Sequence, residues 1–423
     1  MGRLAGGIAG GVLSEGSRRW RQGQRPALRD LLLTPGNLGR MADQLSQMRG
    51  AAMKVGQLLS MDTGQVLPPE LSDLLARLRS GANAMPREQL RTVLTKAWGP
   101  DWQHQFAEFN YRPLAAASIG QVHKAITKDG THLAIKVQYP GVRQSIDSDV
   151  DNVAFLLRSF GLLPKGLDVQ SLLTEAKAQL HREADYQQEA AAMQAYGERL
   201  TDAQDFLIPQ VNTALTTDTA LAMQFMCGDT IDTLVGSQQS LRNRVTEQLF
   251  MLLFRELFEW QMVQTDPNFA NFLYDSSSRK TVLLDFGAVR EYPVSVAEGY
   301  RRLLQAAIDT DREALNVAAE QIGYFSKGVS ATQRAAVLDI FLLATEPLRH
   351  PGIYDFSGCD LAGRIREAGM RLSFEQEYWH SPPMDALFLH RKVAGLYLLA
   401  VRLQAQVDMR PLRQWLAESA EIA

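Results

Sequence analysis

A β-rich patch lies in a chain whose other patterns are mostly helical. In "YRPLAAASIGQVHKAITKDGTHLAIKVQYPG" two strand-forming runs, Ser118 to Ile126 and His132 to Gln138, flank the short "KDG". Apolar alternation on both sides of an Asp-Gly turn predicts an antiparallel hairpin. Two more short strands are expected near Val211 and in "TALAMQFM", and a strand pair around Phe272 and "KTVLLDFG". Asp168 is a suitable N-cap for one long helix through "VQSLLTEAKAQLHREADYQQEAAAMQAY", and "VTEQLFMLLFRELFEWQMVQ" reads as another. The predicted order is helices, a small sheet with a long helix inside it, then a helical lobe. That is an α+β chain of two lobes, with a cleft as the expected ligand site.

The chain has 423 residues, 46% apolar and 22% charged, enough for two lobes or more. Its net charge of −3, with both signs interspersed, argues against a nucleic-acid partner. Cys227 and Cys359 stand far apart without a CxxC, which argues against a disulfide framework and a structural zinc; a reducing, cytoplasmic compartment fits. At the N-terminus, "MGRLAGGIAGGVLSEGSRRWRQGQR" has an apolar, glycine-rich stretch too short to span a bilayer, followed by Arg18, Arg19, Arg21 and Arg25. Such a patch suits an anionic membrane surface; a frayed terminus is the alternative. Near the C-terminus, "ALFLHRKVAGLYLLAVRL" is interrupted by His390, Arg391 and Lys392, and reads as a buried helix rather than a transmembrane span.

Several short stretches carry polar groups of chemical interest. Leu38, Met41, Leu45, Met48, Ala52, Val55 and Leu59 mark one buried helical stripe, which leaves Gly50, Lys54, Gln57 and Met61 on an opposite face, expected to be solvated. Gly50 there would allow close approach by another element. Lys136, inside the apolar strand "LAIKVQ", either snorkels outward or is directed at an anion. "QTDPNFANF" has the Asp, Asn and Pro of a tight turn. It also holds Asp266 and Asn271 five positions apart, the spacing of the kinase pattern HRDxxxxN, with Gln264 in place of the histidine. In "LLDFGAVR", Asp285 ends an apolar strand ahead of Phe286 and Gly287 and is a candidate magnesium ligand. No Walker A sequence occurs, and His104, His123, His132 and His181 lack metal-site spacing.

"AAMKVGQLLSMD", "AAASIGQVHKA", "LAIKVQYPGV", "EADYQQEA", "QTDPNFANF" and "LLDFGAVR", in this order over roughly residues 37 to 410, closely resemble the UbiB-type atypical kinases. These are also called the AarF-domain or ADCK family, and the likeness is to its coenzyme Q branch. The resemblance implies a protein-kinase-like two-lobed fold with a helical extension over the nucleotide cleft. Its parts would be an N-terminal glycine-rich and basic segment (residues 1–36), the helical extension (37–110), an N-lobe with a long inserted helix (111–226) and a mainly helical C-lobe (227–423). It implies that Lys136 contacts the nucleotide phosphates with Glu189 as its partner, that Asp266 is the catalytic-loop aspartate, and that Asn271 and Asp285 hold magnesium. Ala115, Ala116, Ala117 and Ser118 would form the phosphate loop, with Gln224 and Met226 also at the nucleotide. Lys54, Gly56 and Gln57 match the family's KxGQ motif, and Glu183 and Asp185 its ExD motif.

The implied cofactors are ATP or ADP with Mg2+. The implied setting is ubiquinone biosynthesis, with an anionic membrane surface, quinone-precursor lipids and quinone biosynthesis proteins as partners. Read on one helix, Asp185 and Glu189 form a like-charge pair costing about 0.2–0.5 kcal/mol, so Lys54 and Lys136 are expected beside them. Gly120 is the only glycine of the loop; the alanine Cβ atoms restrict how its backbone folds over a γ-phosphate, and a shifted preference toward the diphosphate is expected. The expected function is a magnesium-dependent ATPase or small-molecule kinase. A protein kinase and a nucleotide-gated scaffold of a biosynthetic complex are the alternatives.

Overall fold

The computed structural model describes residues 35–62, 73, 84–160, 162, 168–375, 378 and 382–418. The N-terminal glycine-rich and basic stretch lies outside the described residues. The chain divides into two compact units, Met1–Tyr186 with Thr217–Ala222, and Gln187–Thr216 with Met223–Ala423.

In the first unit the expected hairpin is present as β3 (Gly120–Thr127) and β4 (His132–Gln138), with Val122 opposite Lys136 and Ala125 opposite Leu133. Leu133, Ile135 and Val137 point to one face and are buried there. β1 (Phe106–Phe109) and β2 (Ala115–Ala116) both pair with β3, and β6 (Ala220–Gln224) flanks β4. Helices α1 (Pro35–Gln47) and α2 (Arg49–Asp62) carry the predicted stripe, divided at Met48, whose N–H turns back to the Leu45 carbonyl at 3.1 Å. α3 spans Arg87–Trp98. α2 lies against both α4 (Val142–Ser159) and α5 (Val169–Glu183). It therefore has little solvated face: Lys54 is only 6% exposed, contrary to the expectation for that side of the helix.

The helix that begins after Asp168 is capped as expected, the Asp168 side chain accepting from the Ser171 N–H. It is not one long helix. α5 ends at Glu183 and α6 (Tyr186–Arg199) starts afresh, leaving Asp185 between them. The Ala184 carbonyl, which a continuing helix would need, instead accepts from the buried Gln138 Nε2 at 2.8 Å. Asp185 and Glu189 are accordingly not an i,i+4 pair on one helix.

In the second unit, the region of Val211 contributes only an isolated bridge to Met223. A sheet runs in the order β5 (Phe206–Leu207), β10 (Lys280–Leu283), β9 (Phe272–Asp275), β7 (Asp229–Thr230). α7 (Gln239–Phe258) corresponds to the predicted apolar helix and is followed by β8 (Met262–Gln264), which pairs with β11 (Val289–Glu291). The rest is mainly helical: α8 (Val294–Ile308), α9 (Arg312–Ile322), α10 (Ala331–Ala344), α11 (Glu346–Arg349), α12 (Leu361–Met370), α13 (Met384–Arg402) and α14 (Arg410–Glu418). β12 (Ile353–Asp355) and β13 (Gln406–Asp408) form a short ladder among them. Phe388, Leu389, Leu396 and Leu399 bury α13, as its apolar sequence predicts. Among the described residues no helix is long and apolar enough to cross a membrane.

Candidate active site

In the first unit, Lys54, Ser118 and Glu183 meet. Lys54 Nζ is paired with Glu183 Oε1, and Ser118 Oγ donates to Glu183 Oε2 at 3.0 Å. The approach depends on Gly50, because a Cβ there would stand 3.1 Å from the Ser118 carbonyl. Gly56 is buried on the same helix, and Gln57 presents a buried Oε1 with no hydrogen-bond partner among the described residues. Asp185 lies 3.6 Å from Arg143 Nη2 in a half-exposed pair.

Lys136 is 8% exposed, which excludes the outward, snorkelling reading, and its Nζ lies 5.5 Å from the centre of the Tyr186 ring. Ala115 and Ala116 are paired in register with Val122 and Gln121, and the Ala117 N–H donates to the Gly120 carbonyl at 2.8 Å. The alanine loop is thus a tight hairpin continuous with the sheet. In β6, the Gln224 N–H donates to the Gln210 carbonyl at 2.8 Å, and Met226 is half-buried just beyond the strand.

In the second unit, two antiparallel ladders bring the motif residues to one place. β9 and β10 pair Phe272 with Leu283, so Asn271, before one strand, and Asp285, after the other, emerge at the same end. The Leu284 N–H continues the ladder to the Asn271 carbonyl at 3.0 Å. β8 and β11 pair Gln264 with Val289, and Thr265 follows with bonds from its N–H and Oγ1 to the Ala288 carbonyl. Asp266 therefore leaves its strand beside the segment that carries Asp285.

"QTDPNFANF" is still a turn: the Asn268 side chain accepts from the Ala270 N–H, and the Asn271 N–H bonds the Asn268 carbonyl. The same turn brings the two residues of the kinase-like spacing together, Asn271 Nδ2 donating to Asp266 Oδ2 at 2.9 Å. The Gly287 N–H holds Asp285 Oδ1 at 3.0 Å. Glu189, 1% exposed, borders the same glycine; a Cβ on Gly287 would lie 3.4 Å from both Glu189 Oε2 and Asp285 Oδ1.

The donor set fits a hard divalent cation. Asp285 supplies carboxylate oxygen and Asn271, with its Nδ2 spent on Asp266, keeps an amide oxygen. No group of three His, Cys, Asp or Glu residues arranged for a metal occurs among the described residues. Magnesium does not need one, since it takes one or two protein ligands together with phosphate oxygens and water.

Sequence reasoning missed the role of the polar triplet in α13. Arg391 Nη2 contacts Asp266 Oδ1 at 2.5 Å. Lys392, 2% exposed, lies 3.3 Å from Glu256 Oε2 and donates to Gln264 Oε1 at 3.2 Å. His390 Nε2 hydrogen-bonds the Tyr324 hydroxyl at 2.6 Å, and its ring stacks on the Tyr324 ring. The signal was present, because three consecutive polar residues inside an apolar helix must find partners when the helix is buried. One turn further on, Gly395 admits Pro267 of the motif, where a Cβ would lie 2.1 Å from the Pro267 Cβ. Gly395→Ala should destabilise the second unit by about 1–3 kcal/mol through overpacking, read as a lower denaturant midpoint at unchanged slope.

A kinase-type spacing of Asp and Asn, a DFG segment at the end of a strand and a buried strand lysine define a chain of the protein-kinase-like class. The ABC1 atypical kinase-like domain model matches residues 77–319, and the chain belongs to that family. It is 38% identical over 414 residues to the mitochondrial atypical kinase COQ8 of Saccharomyces cerevisiae, covering 97% of this chain and 82% of that protein. With the mitochondrial atypical kinase COQ8B of Rattus norvegicus it shares 38% identity over 421 residues, 98% of this chain and 78% of that one. Among solved structures, the Rv3197–erythromycin complex from Mycobacterium tuberculosis matches with a TM-score of 0.61 at 25% identity, covering 88% of this chain and 93% of that one. The protein is thus an atypical kinase with a kinase-like, nucleotide-binding fold.

Proposed function

We propose that this atypical kinase is a magnesium-dependent ATPase or small-molecule kinase that supports ubiquinone biosynthesis at a membrane surface. The observation that carries the catalytic part is the convergence of Asp266, Asn271 and Asp285 at the end of two strand ladders. Magnesium, when bound, neutralises phosphate charge and orients the transferring group. Asn271 and Asp285 would hold it, and Asp266, steadied by Asn271 and Arg391, would orient the attacking hydroxyl or water and take its proton. By the family resemblance, Lys136 and Ala115 to Ser118 in the first unit, and Gln224 and Met226 in the second, would bind nucleotide, with Glu189 in the role of the lysine's partner. The Lys54–Glu183–Ser118 cluster would tie the KxGQ helix to the phosphate loop, and the buried Gln57 Oε1, which has no hydrogen-bond partner among the described residues, supports a polar ligand nearby.

The quinone assignment rests on the likeness to the COQ8 proteins. The apolar, glycine-rich N-terminal stretch followed by Arg18, Arg19, Arg21 and Arg25 supports a peripheral place on an anionic membrane surface. ATP turnover measured with and without anionic liposomes and a phenolic mimic of a quinone precursor tests this part. Stimulation by both is expected; turnover indifferent to both would contradict the assignment. In the alanine hairpin, Ala116→Gly relaxes the backbone and is expected to raise ATP affinity severalfold relative to ADP in a binding titration. An unchanged ratio would rule out the loop as the source of nucleotide preference.

A further inference from the structure

Behind the motif residues lies a buried ionic cluster to which the catalytic reading gives no role. Glu256 of α7 is fully buried, Lys392 of α13 is 2% exposed, and Tyr196 of α6 is fully buried. Tyr196 Oη donates to Glu256 Oε1 at 2.9 Å, and Lys392 Nζ faces Glu256 Oε2 at 3.3 Å. Burial raises the Glu256 carboxyl pKa, while Lys392 works in the opposite direction. Removing two charges from water is costly, and an apolar pair of similar volume would fill the space at least as well. What the apolar pair could not do is orient Gln264.

The Gln264 amide has two different ends, and Lys392 anchors the oxygen end while two backbone carbonyls take the nitrogen end. Lys392 Nζ, which can only donate, occupies Gln264 Oε1 at 3.2 Å. The Gln264 Nε2 is thereby turned toward two backbone carbonyls, that of Asp266 at 2.9 Å and that of Asp285 at 3.3 Å. A single side-chain amide therefore joins the backbones of the loop aspartate and the strand-end aspartate. A small cavity of about 10 Å³ is lined by Glu256, Gln264, Asn271, Asp285 and Lys392 together, so the ionic cluster adjoins the motif residues directly.

We propose that Lys392, held by Glu256, is a positioning residue that sets the Gln264 amide so that it staples the Asp266 and Asp285 backbones at a fixed separation. This rests on the reading of those two aspartates as the catalytic and metal-holding groups. Without a donor at position 392 the buried Gln264 Oε1 loses its partner, so the side chain is no longer anchored at both ends and the staple loosens.

The test uses the full chain with Lys392→Met and with the double variant Lys392→Met/Glu256→Gln, which leaves no buried unpaired charge if the single variant fails to fold. Thermal unfolding, backbone hydrogen exchange and ATP turnover across a Mg2+ titration are measured on each, with Asp266→Asn alongside. The double variant is expected to regain stability, yet to show faster exchange across residues 264–271 and 284–288. Its turnover should be about 10²-fold lower, as misplacement of a catalytic group by about 1 Å can cause, with a higher Mg2+ requirement. Wild-type exchange in those segments, or turnover that recovers along with stability, would overturn the inference. If Asp266→Asn keeps wild-type turnover, the catalytic reading fails instead, and hydrogen exchange alone decides whether the staple exists.

Discussion

Replacing Asp266 with Asn is expected to reduce ATP turnover by about 10²–10⁴-fold, the range that a positioned general base supplies. The substitution removes the negative charge and the proton acceptor while keeping nearly the same shape. An amide oxygen remains available to Arg391, so the contact from α13 can persist and the variant should fold. Because Asp266 is not among the residues proposed to hold magnesium, the KM for MgATP should change much less than kcat. A matched fall in nucleotide affinity with unchanged kcat would instead give Asp266 a binding role. Circular dichroism and thermal unfolding beside the kinetics separate chemistry from folding.

Lys54→Met is the second large effect, and it is on stability. The Lys54 and Glu183 side chains are 7% and 13% exposed, so removing the cation leaves a nearly buried carboxylate that among the described residues keeps Ser118 as a partner. Breaking a fully buried pair typically costs 3–5 kcal/mol. The surviving Ser118 bond and the residual exposure of Glu183 reduce this to about 2–3 kcal/mol for the first unit. Equilibrium denaturation should show the loss as a lower midpoint. Lys54→Met/Glu183→Gln should recover most of it, because no unpaired charge is left, whereas a double variant as unstable as the single one would show that packing of the lysine stem, rather than charge, is what the site needs.

The β3–β4 hairpin was legible because its signals are local, whereas the strand expected near Val211 is only an isolated bridge to Met223. "KDG" between alternating apolar runs predicts β3 and β4 without reference to the rest of the chain, and Asp168 announces its helix by capping chemistry. The helix break at Ala184 was not legible, since the side chain that takes the Ala184 carbonyl, Gln138, lies 46 positions away in sequence. The burial of Lys54 is the same kind of miss. A single apolar stripe predicts one buried face, and only the packing of α2 against both α4 and α5 makes the opposite face an interior one.

In the site, the spacing of Asp266 and Asn271 and the placing of Asp285 at a strand end were readable because adjacent strands carry them. Arg391, Lys392 and Gly395 were not assigned, because they approach from a helix more than a hundred residues later. Pairing across that distance has no local pattern; the only trace is polarity where an apolar helix should have none.

The central claim is that Asp266 and Asp285 act together at one magnesium–nucleotide site. The most direct measurement is steady-state ATP hydrolysis by the purified full chain across a Mg2+ titration, for wild type, Asp266→Asn and Asp285→Asn, each shown to be folded. The account predicts turnover that requires Mg2+ in the wild type and falls by at least about 10²-fold in both variants. Equal, Mg2+-independent turnover in all three would contradict it.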